Sequence, residues 1–298
     1  MLYLIFSILS AIILFIYSLT SFSHELQKAG GGYLKKSLER LTKFRISAYV
    51  LGVAATGIIQ SSSAVIAIVI GLVDAGTLRF LPGIATILGA NLGTTVTAWL
   101  VSFKLTSIGP FFIVLGGTLS LALRRFSVIG KSVFYFGFIF FTLDLISHSM
   151  GPLKTHPMLA DYLSSQTNVY LAVVAGAIVT AIIQSSSVTT GLAIILLSQN
   201  LLAIPVAIGI VLGANIGTTF TGLVVSIGLS KPAQKVALAN LFFNVTGVVL
   251  IAFFIKPFIH FMTTEFGHNV VPWSQVFFNL ILAFLFLPWL KQIERLLL

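Results

Sequence analysis

The sequence predicts an all-α polytopic membrane protein made of two inverted repeats, each with a re-entrant helical hairpin and discontinuous helices. Three observations carry that expectation. Of the 298 residues, 57% are hydrophobic and only 8% charged, with a mean hydropathy of +1.08; an ordinary soluble domain carries about 25% charged residues. Apolar runs of about 20 residues recur, each long enough for a helix to cross a bilayer, and no alternation of apolar and polar residues points to a barrel. The third observation is internal repetition. TGIIQSSS at 56–63 returns as TAIIQSSS at 180–187, and GANLGTT at 89–95 returns as GANIGTT at 213–219, both displaced by 124 positions. A gapless alignment of 56–102 with 180–226 gives about 21 identities in about 47 positions, far above chance.

The apolar segments are 3–22, 47–73, 80–103, 106–123, 127–148, 169–198, 203–227, 236–255 and 272–290. The first has no basic region before it and Lys28, Lys35 and Lys36 after it, the reverse of a secretory signal, so it reads as a retained helix with its N-terminus outside. If all nine segments crossed, basic residues would divide about 12 inside to 5 outside. If 47–73 and 169–198 are hairpins that enter and leave on one side, seven segments cross and the division sharpens to about 14 to 3, with only Lys104, Lys154 and Lys256 outside. The hairpin topology also makes the repeats antiparallel, puts the loop 149–168 outside and the C-terminus in the cytoplasm, and gives limbs of about 13 residues, too short to cross about 30 Å. The expected units are 1–124, 125–257 and an extra C-terminal helix in 258–298.

A polar tetrad falls near the centre of each hairpin segment: Gln60, Ser61, Ser62 and Ser63 in one, Gln184, Ser185, Ser186 and Ser187 in the other. Hydroxyls and amides donate and accept hydrogen bonds without bringing charge. The helix leaving each turn begins with unpaired N–H groups and a partial positive charge, which can hold an anion with no basic side chain. Two such turns meeting from opposite sides could surround a tetrahedral oxyanion with donors. A lone tetrad could equally be a packing feature; two at matching offsets, each preceded by threonine (Thr56, Thr180), argue for a site. In the other repeated motif, Asn91, Thr94 and Thr95, with Asn215, Thr218 and Thr219, place oxygens beside Gly89, Gly93, Gly213 and Gly217. A glycine break there would expose carbonyls and complete a ligand set for a hard cation such as Na+, whereas glycines four apart also serve close helix packing.

Several classes are disfavoured. The formal net charge of +10 sits between apolar runs, where it orients a membrane protein and does not call for nucleic acid. There is no cysteine, hence no disulfide or thiolate site. No catalytic or nucleotide-binding motif occurs, the five histidines lack metal spacing, and an ion gradient is left as the energy source, with no cofactor. Asp144, inside an apolar run, is either functional or a partner of His148. Asp74 and Arg79 read as interfacial.

The paired tetrads, the paired GAN-x-GTT segments and ALANLFFNVTG at 237–247 resemble the type II sodium–phosphate cotransporters and their bacterial relatives, across roughly residues 1–257. The resemblance implies Na+-coupled transport of inorganic phosphate, with Gln60–Ser63 and Gln184–Ser187 around phosphate and Na+. Thr56, Asn91, Thr94, Thr95, Thr180, Asn215, Thr218 and Thr219 are then expected near Na+, with Gln60, Ser63, Gln184 and Ser187 sharing that role. This chain has Asn240 where the family commonly has histidine, and it ends at Leu298 without the soluble regulatory domain of many bacterial relatives. Another oxyanion, sulfate or a dicarboxylate, and an anion channel are the alternatives. Expected partners are phosphate, sodium ions and membrane lipid, with a homodimer left open, in a bacterial plasma membrane.

Overall fold

A computed structural model describes residues 2–41, 44–103, 105–122, 124–151 and 168–297. Fourteen α-helices make up the described chain, which contains no strand: α1 (Leu2–Leu41), α2 (Arg45–Ile59), α3 (Ser62–Asp74), α4 (Phe80–Gly93), α5 (Thr95–Ser102), α6 (Gly109–Ala122), α7 (Ser127–Ser149), α8 (Val169–Ile183), α9 (Ser186–Ser198), α10 (Ile204–Ser226), α11 (Lys231–Phe253), α12 (Ile255–Phe266), α13 (Val270–Phe286) and α14 (Leu290–Leu297). Six helical stretches are long and apolar enough to cross a membrane, and Tyr3, Leu121 and Phe284 are 87%, 86% and 88% exposed, as lipid-facing side chains are. The chain is a multi-pass membrane protein. Most of the expected outer loop, residues 152–167 with Lys154, and also Lys43 and Lys104, lie outside the described residues.

Each hairpin segment is two short helices. α2 and α8 have 15 residues, α3 and α9 have 13, lengths of about 22 and 20 Å against a hydrocarbon core of about 30 Å. The chain turns back between them. Gly89 and Gly93 of α4 face Tyr49 and Val53 of α2 in rising order, so α2 and α4 run parallel, and α3 between them must run the other way. The second copy repeats this: Gly209, Gly213 and Gly217 of α10 face Val169, Val173 and Ala177 of α8 in turn.

These approaches correct one expectation. The glycines beside Asn91 and Asn215 bring backbones together; in the second copy they leave the helix whole, and in the first α4 ends at Gly93 and α5 begins at Thr95. α10 runs from 204 to 226 without interruption, and in the first copy the helix is interrupted only at Thr94, whose φ −61°, ψ −25° remain right-handed. The physical reason is that a Cβ at Gly89 would lie 1.9 Å from Tyr49 O, and at Gly213 1.9 Å from Val173 O. A further difference concerns 106–123, where α6 has only 14 residues. The 3-10 turn Leu105–Ile108 precedes it, and the two together reach about 29 Å at 2.0 and 1.5 Å per residue.

The two copies interlock. Gly222 of α10 lies against Ile66 and Ile70 of α3, and Gly191 of α9 against Phe15 of α1 and Val101 of α5. α1 and α7 pair antiparallel through Ser7 and Ser149 (3.2 Å), Ser18 and Thr142 (3.3 Å), and the Phe22 and Phe136 rings (5.8 Å). Ser18 and Thr142 are separated by 124 positions, so equivalent places in the two copies touch each other. The core sits at the centre, where Phe80–Ser102 is mostly buried while α1 is mostly not. Asp74 accepts the Ser230 N–H at 2.7 Å at the start of α11, and Asp144 pairs with His148 at 3.4 Å on the exposed side of α7.

The packing predicts that Gly89→Ala and Gly213→Ala each cost at least about 2 kcal/mol, because a backbone carbonyl must move. Gly30→Ala in α1 meets nothing within 4 Å and is expected to stabilise by about 0.5–1 kcal/mol through helix propensity. Thermal unfolding of the purified variants checks the opposite signs.

Candidate functional site

The hairpin turns have one geometry. Gln60 and Gln184 close α2 and α8 in the left-handed region, at φ 58° and φ 57°. Ser61 and Ser185 then extend, at φ −150° and −145°, and cap the next helix. Their hydroxyls accept from Ala64 N (3.2 Å) and Val188 N (3.4 Å), the N3 contact of an ordinary serine cap. The first intrahelical bonds are Val65 N to Ser61 O and Thr189 N to Ser185 O. The N–H groups of Ser62, Ser63, Ser186 and Ser187 therefore come before any intrahelical partner and carry the positive end of each helix.

The two turns meet. Ser63 Oγ donates to Gln184 O at 3.4 Å, and one cavity of about 200 Å³ is lined by all eight tetrad residues. The structure thus gathers residues 60–63 and 184–187 around a single space. Among the described residues no Lys, Arg, His, Asp or Glu lines it, and no cluster of His, Asp and Glu is set to hold a metal ion. What the cavity offers is hydroxyls, amides and two helix N-termini, a surface rich in donors and free of formal charge.

Sequence reasoning missed the third wall. Thr20, Ser23 and Gln27 of α1 line the same cavity, and Ser23 Oγ donates to Gln60 O at 2.7 Å, tying the first turn to α1. Their spacing of three and four residues marks a polar stripe along one helix face, a signal present in the sequence but unaccompanied by a repeated motif.

The remaining expected residues do not line the cavity. Asn91, Thr94, Thr95, Asn215, Thr218 and Thr219 are buried on α4, α5 and α10, and Thr56 and Thr180 on α2 and α8. Several hold an oxygen without a partner: Thr56 Oγ1, Asn91 Oδ1 and Thr218 Oγ1. Others are engaged, Thr94 with Ala90 O (3.1 Å), Thr219 with Ile216 O (2.7 Å) and Thr180 with Thr189 Oγ1 (2.8 Å). Thr56 lacks the bond that Thr180 makes because the residue equivalent to Thr189 is Val65.

The copies also differ at the glutamines. Gln60 is 6% exposed; its amide donates to Gly57 O and its Oε1 accepts from Thr97 Oγ1 at 2.9 Å. Gln184 is exposed, and Thr221, the counterpart of Thr97, keeps a buried hydroxyl without a partner.

Comparison with known proteins places the chain in a family. The family described as Na+/Pi-cotransporter matches residues 14–148 and 155–292. The chain belongs to that family. Among its relatives, the protein YqeW of Bacillus subtilis (strain 168) is 34% identical over 90% of this chain and 92% of its own length. YjbB of Escherichia coli (strain K12), whose name proposes inorganic phosphate export, is 25% identical over 97% of this chain and 54% of its own. The chain therefore spans about half of that relative. Sodium-dependent phosphate transport protein 2B of Homo sapiens is 35% identical over 34% of this chain and 16% of its own length. No solved structure matches the chain. The family is one of transporters, not enzymes.

The unequal glutamines set a prediction. Left-handed backbone costs a non-glycine residue about 1 kcal/mol, so Gln184→Gly is expected to raise stability by about that amount. Gln60→Gly relieves the same strain but strands the Thr97 hydroxyl, at a cost of about 1–3 kcal/mol, and is expected to be neutral or destabilising. Denaturation of the two variants side by side tests the asymmetry.

Proposed function

We propose that this protein carries inorganic phosphate across the membrane coupled to sodium ions, with phosphate held between the turns at Gln60–Ser63 and Gln184–Ser187. The observation that carries the reading is the single uncharged cavity into which both serine tetrads and both helix N-termini point. Family membership favours phosphate over other oxyanions, which donors alone do not separate.

The same reading makes the repeats inverted and the hairpins re-entrant, over units 1–124 and 125–257 with 258–298 added. It is supported by the antiparallel pairing of the equivalent helices α1 and α7 and by the parallel course of α2 with α4 and α8 with α10. A hairpin whose limbs are too short to cross returns the chain to the side it left, and its unpaired turn must face a wet cavity inside the protein. Charge placement puts the N-terminus outside and the C-terminus in the cytoplasm of a plasma membrane. Cysteines introduced at Ser37 and His268 are then labelled from opposite faces, the first only from the cytoplasm; labelling of both from one face contradicts the inverted arrangement.

Sodium follows from charge. Moving a phosphate dianion into a site without Lys or Arg is costly, so cations must enter with it. The two ligands then tighten each other, as linkage requires. Thr56, Asn91 and Thr218, with their unpartnered oxygens, are the first candidates for Na+, followed by Thr94, Thr95, Thr180, Asn215, Thr219 and the tetrad residues Gln60, Ser63, Gln184 and Ser187.

The deciding experiment is uptake into proteoliposomes with Na+ or choline outside. Wild type is expected to show saturable, Na+-dependent phosphate transport. Ser62→Ala and Ser186→Ala should each weaken phosphate affinity about ten- to a hundredfold, the loss of a hydrogen bond to a charged ligand, while Ser198→Ala on α9 changes nothing. Equal uptake in choline, or unchanged affinity in both serine variants, would overturn the proposal.

A further inference from the structure

A second cavity, of about 760 Å³, opens where α2 and α4 begin and α14 passes. Arg45, Arg79 and Lys291 line it, with Glu294 the one carboxylate among the described lining residues. Its described lining shares no residue with the tetrad cavity, and the transport proposed above makes no use of it.

Local structure explains how the charges come together. Arg45 opens α2, and its Nη1 donates to Pro288 O at 2.8 Å and to Leu287 O at 3.3 Å. Those carbonyls belong to the 3-10 turn Leu287–Trp289, which leads into α14. The guanidinium thus pins α14 beside the first hairpin, and Leu290, 1% exposed, buries its first turn. Arg79 precedes α4, a helix whose start has no side-chain cap. Arg79 and Lys291 are exposed, and among the described residues neither makes an ion pair. Three positive side chains therefore share one cavity with a single negative one. An anion relieves the repulsion among them.

The internal repeat provides a comparison. Another cavity, of about 750 Å³, is lined by Asn168, Val169, Tyr170 and Pro205, which lie 124 positions after Phe44, Arg45, Ile46 and Leu81. There α12 supplies Lys256 and His260, but Val169 stands in place of Arg45 and Ala203 in place of Arg79. The fold forms this cavity without the arginines, so packing does not require their charge. Orienting a membrane protein asks only for basic residues in a cytoplasmic loop; it does not call for gathering them around a recess.

The rest of the lining indicates the kind of anion. Phe44 and Ile46 are 74% and 63% exposed, and Leu78, Leu81 and Pro82 complete an apolar wall. Cations beside exposed apolar side chains, at the ends of apolar helices, match a phosphodiester that carries acyl chains. Basic pockets between membrane helices take anionic headgroups in this way, and arginine meets phosphate oxygens with paired hydrogen bonds. We propose that the recess bounded by Arg45, Arg79 and Lys291 holds the phosphate of an anionic phospholipid. Its place in the cytoplasmic leaflet rests on the topology proposed above. A lipid bound there clamps the starts of α2 and α4 to α14, and so fixes the limb that ends at Gln60.

The test is thermal unfolding of the full chain in detergent and choline chloride, with phosphatidylglycerol, phosphatidylcholine or inorganic phosphate added. Wild type is expected to gain a few degrees in Tm, saturably, with phosphatidylglycerol and with neither of the others. Arg79→Gln and Lys291→Gln should each raise the half-saturating lipid concentration about fivefold, the effect of one basic side chain on an anionic lipid. Glu294→Gln should lower it, a change of opposite sign that a damaged fold does not produce. Lys231→Gln removes an exposed charge at the start of α11 that does not line the cavity, and leaves the midpoint where it was. An equal gain with phosphatidylcholine, an equal loss in Lys231→Gln, or an unmoved midpoint in both Arg79→Gln and Lys291→Gln overturns the site. A gain with inorganic phosphate that both variants erase, and none with phosphatidylglycerol, overturns the lipid assignment in favour of free phosphate. Transport enters none of these measurements, so uptake indifferent to Na+ defeats the proposed function and leaves this site standing.

Discussion

Backbone polar groups that have no helical partner dominate the design of this protein. In hydrocarbon they find no water, and each one left unpaired costs several kcal/mol. At Gln60–Ser63 and Gln184–Ser187 the chain interrupts two helices within apolar sequence and leaves the first N–H groups of α3 and α9 free. Everything around them accommodates that choice. Serine caps take one donor each, α1 supplies Thr20, Ser23 and Gln27, and the two turns face each other across one space. The arrangement is stable as a cavity that admits water or an anion and unstable as a dry contact.

Close packing makes the meeting of the turns reproducible. Backbone carbonyls of α2 and α8 press against Gly89 and Gly213 with no room for a methyl group, which fixes the height of each hairpin against its neighbouring helix. The second limb of each hairpin then rests on the opposite copy, α3 on α10 and α9 on α5. Neither turn can shift without moving a helix that belongs to the other half, so two elements more than a hundred residues apart hold one cavity between them. Coupling between ligands in such a frame needs only that both favour the same packing.

The hairpins were legible in the sequence almost to the residue: apolar segments 47–73 and 169–198 become helices over 45–74 and 169–198, each turning at its glutamine. Repetition made this possible, because a polar tetrad that recurs at a fixed offset marks the same turn in both copies. The same logic explains what was missed. Thr20, Ser23 and Gln27 carry no repeated signature. Glycine spacing was ambiguous for a different reason. A residue without a Cβ permits either a helix break or a close approach, and only the neighbouring backbone, Tyr49 or Val173, decides between them. The short α6 was hidden because hydropathy does not distinguish a 3-10 turn from an α-helix.

The central claim is that both serine tetrads hold one phosphate between them. It is tested most directly by equilibrium phosphate binding in saturating Na+ to wild type, Ser62→Ala, Ser186→Ala and the double variant. Serines that share a ligand are energetically coupled, and the account predicts that the double variant departs from the sum of the single losses by at least about 0.5 kcal/mol, with one phosphate bound per chain in wild type. Strictly additive losses with two phosphates bound per chain would contradict it.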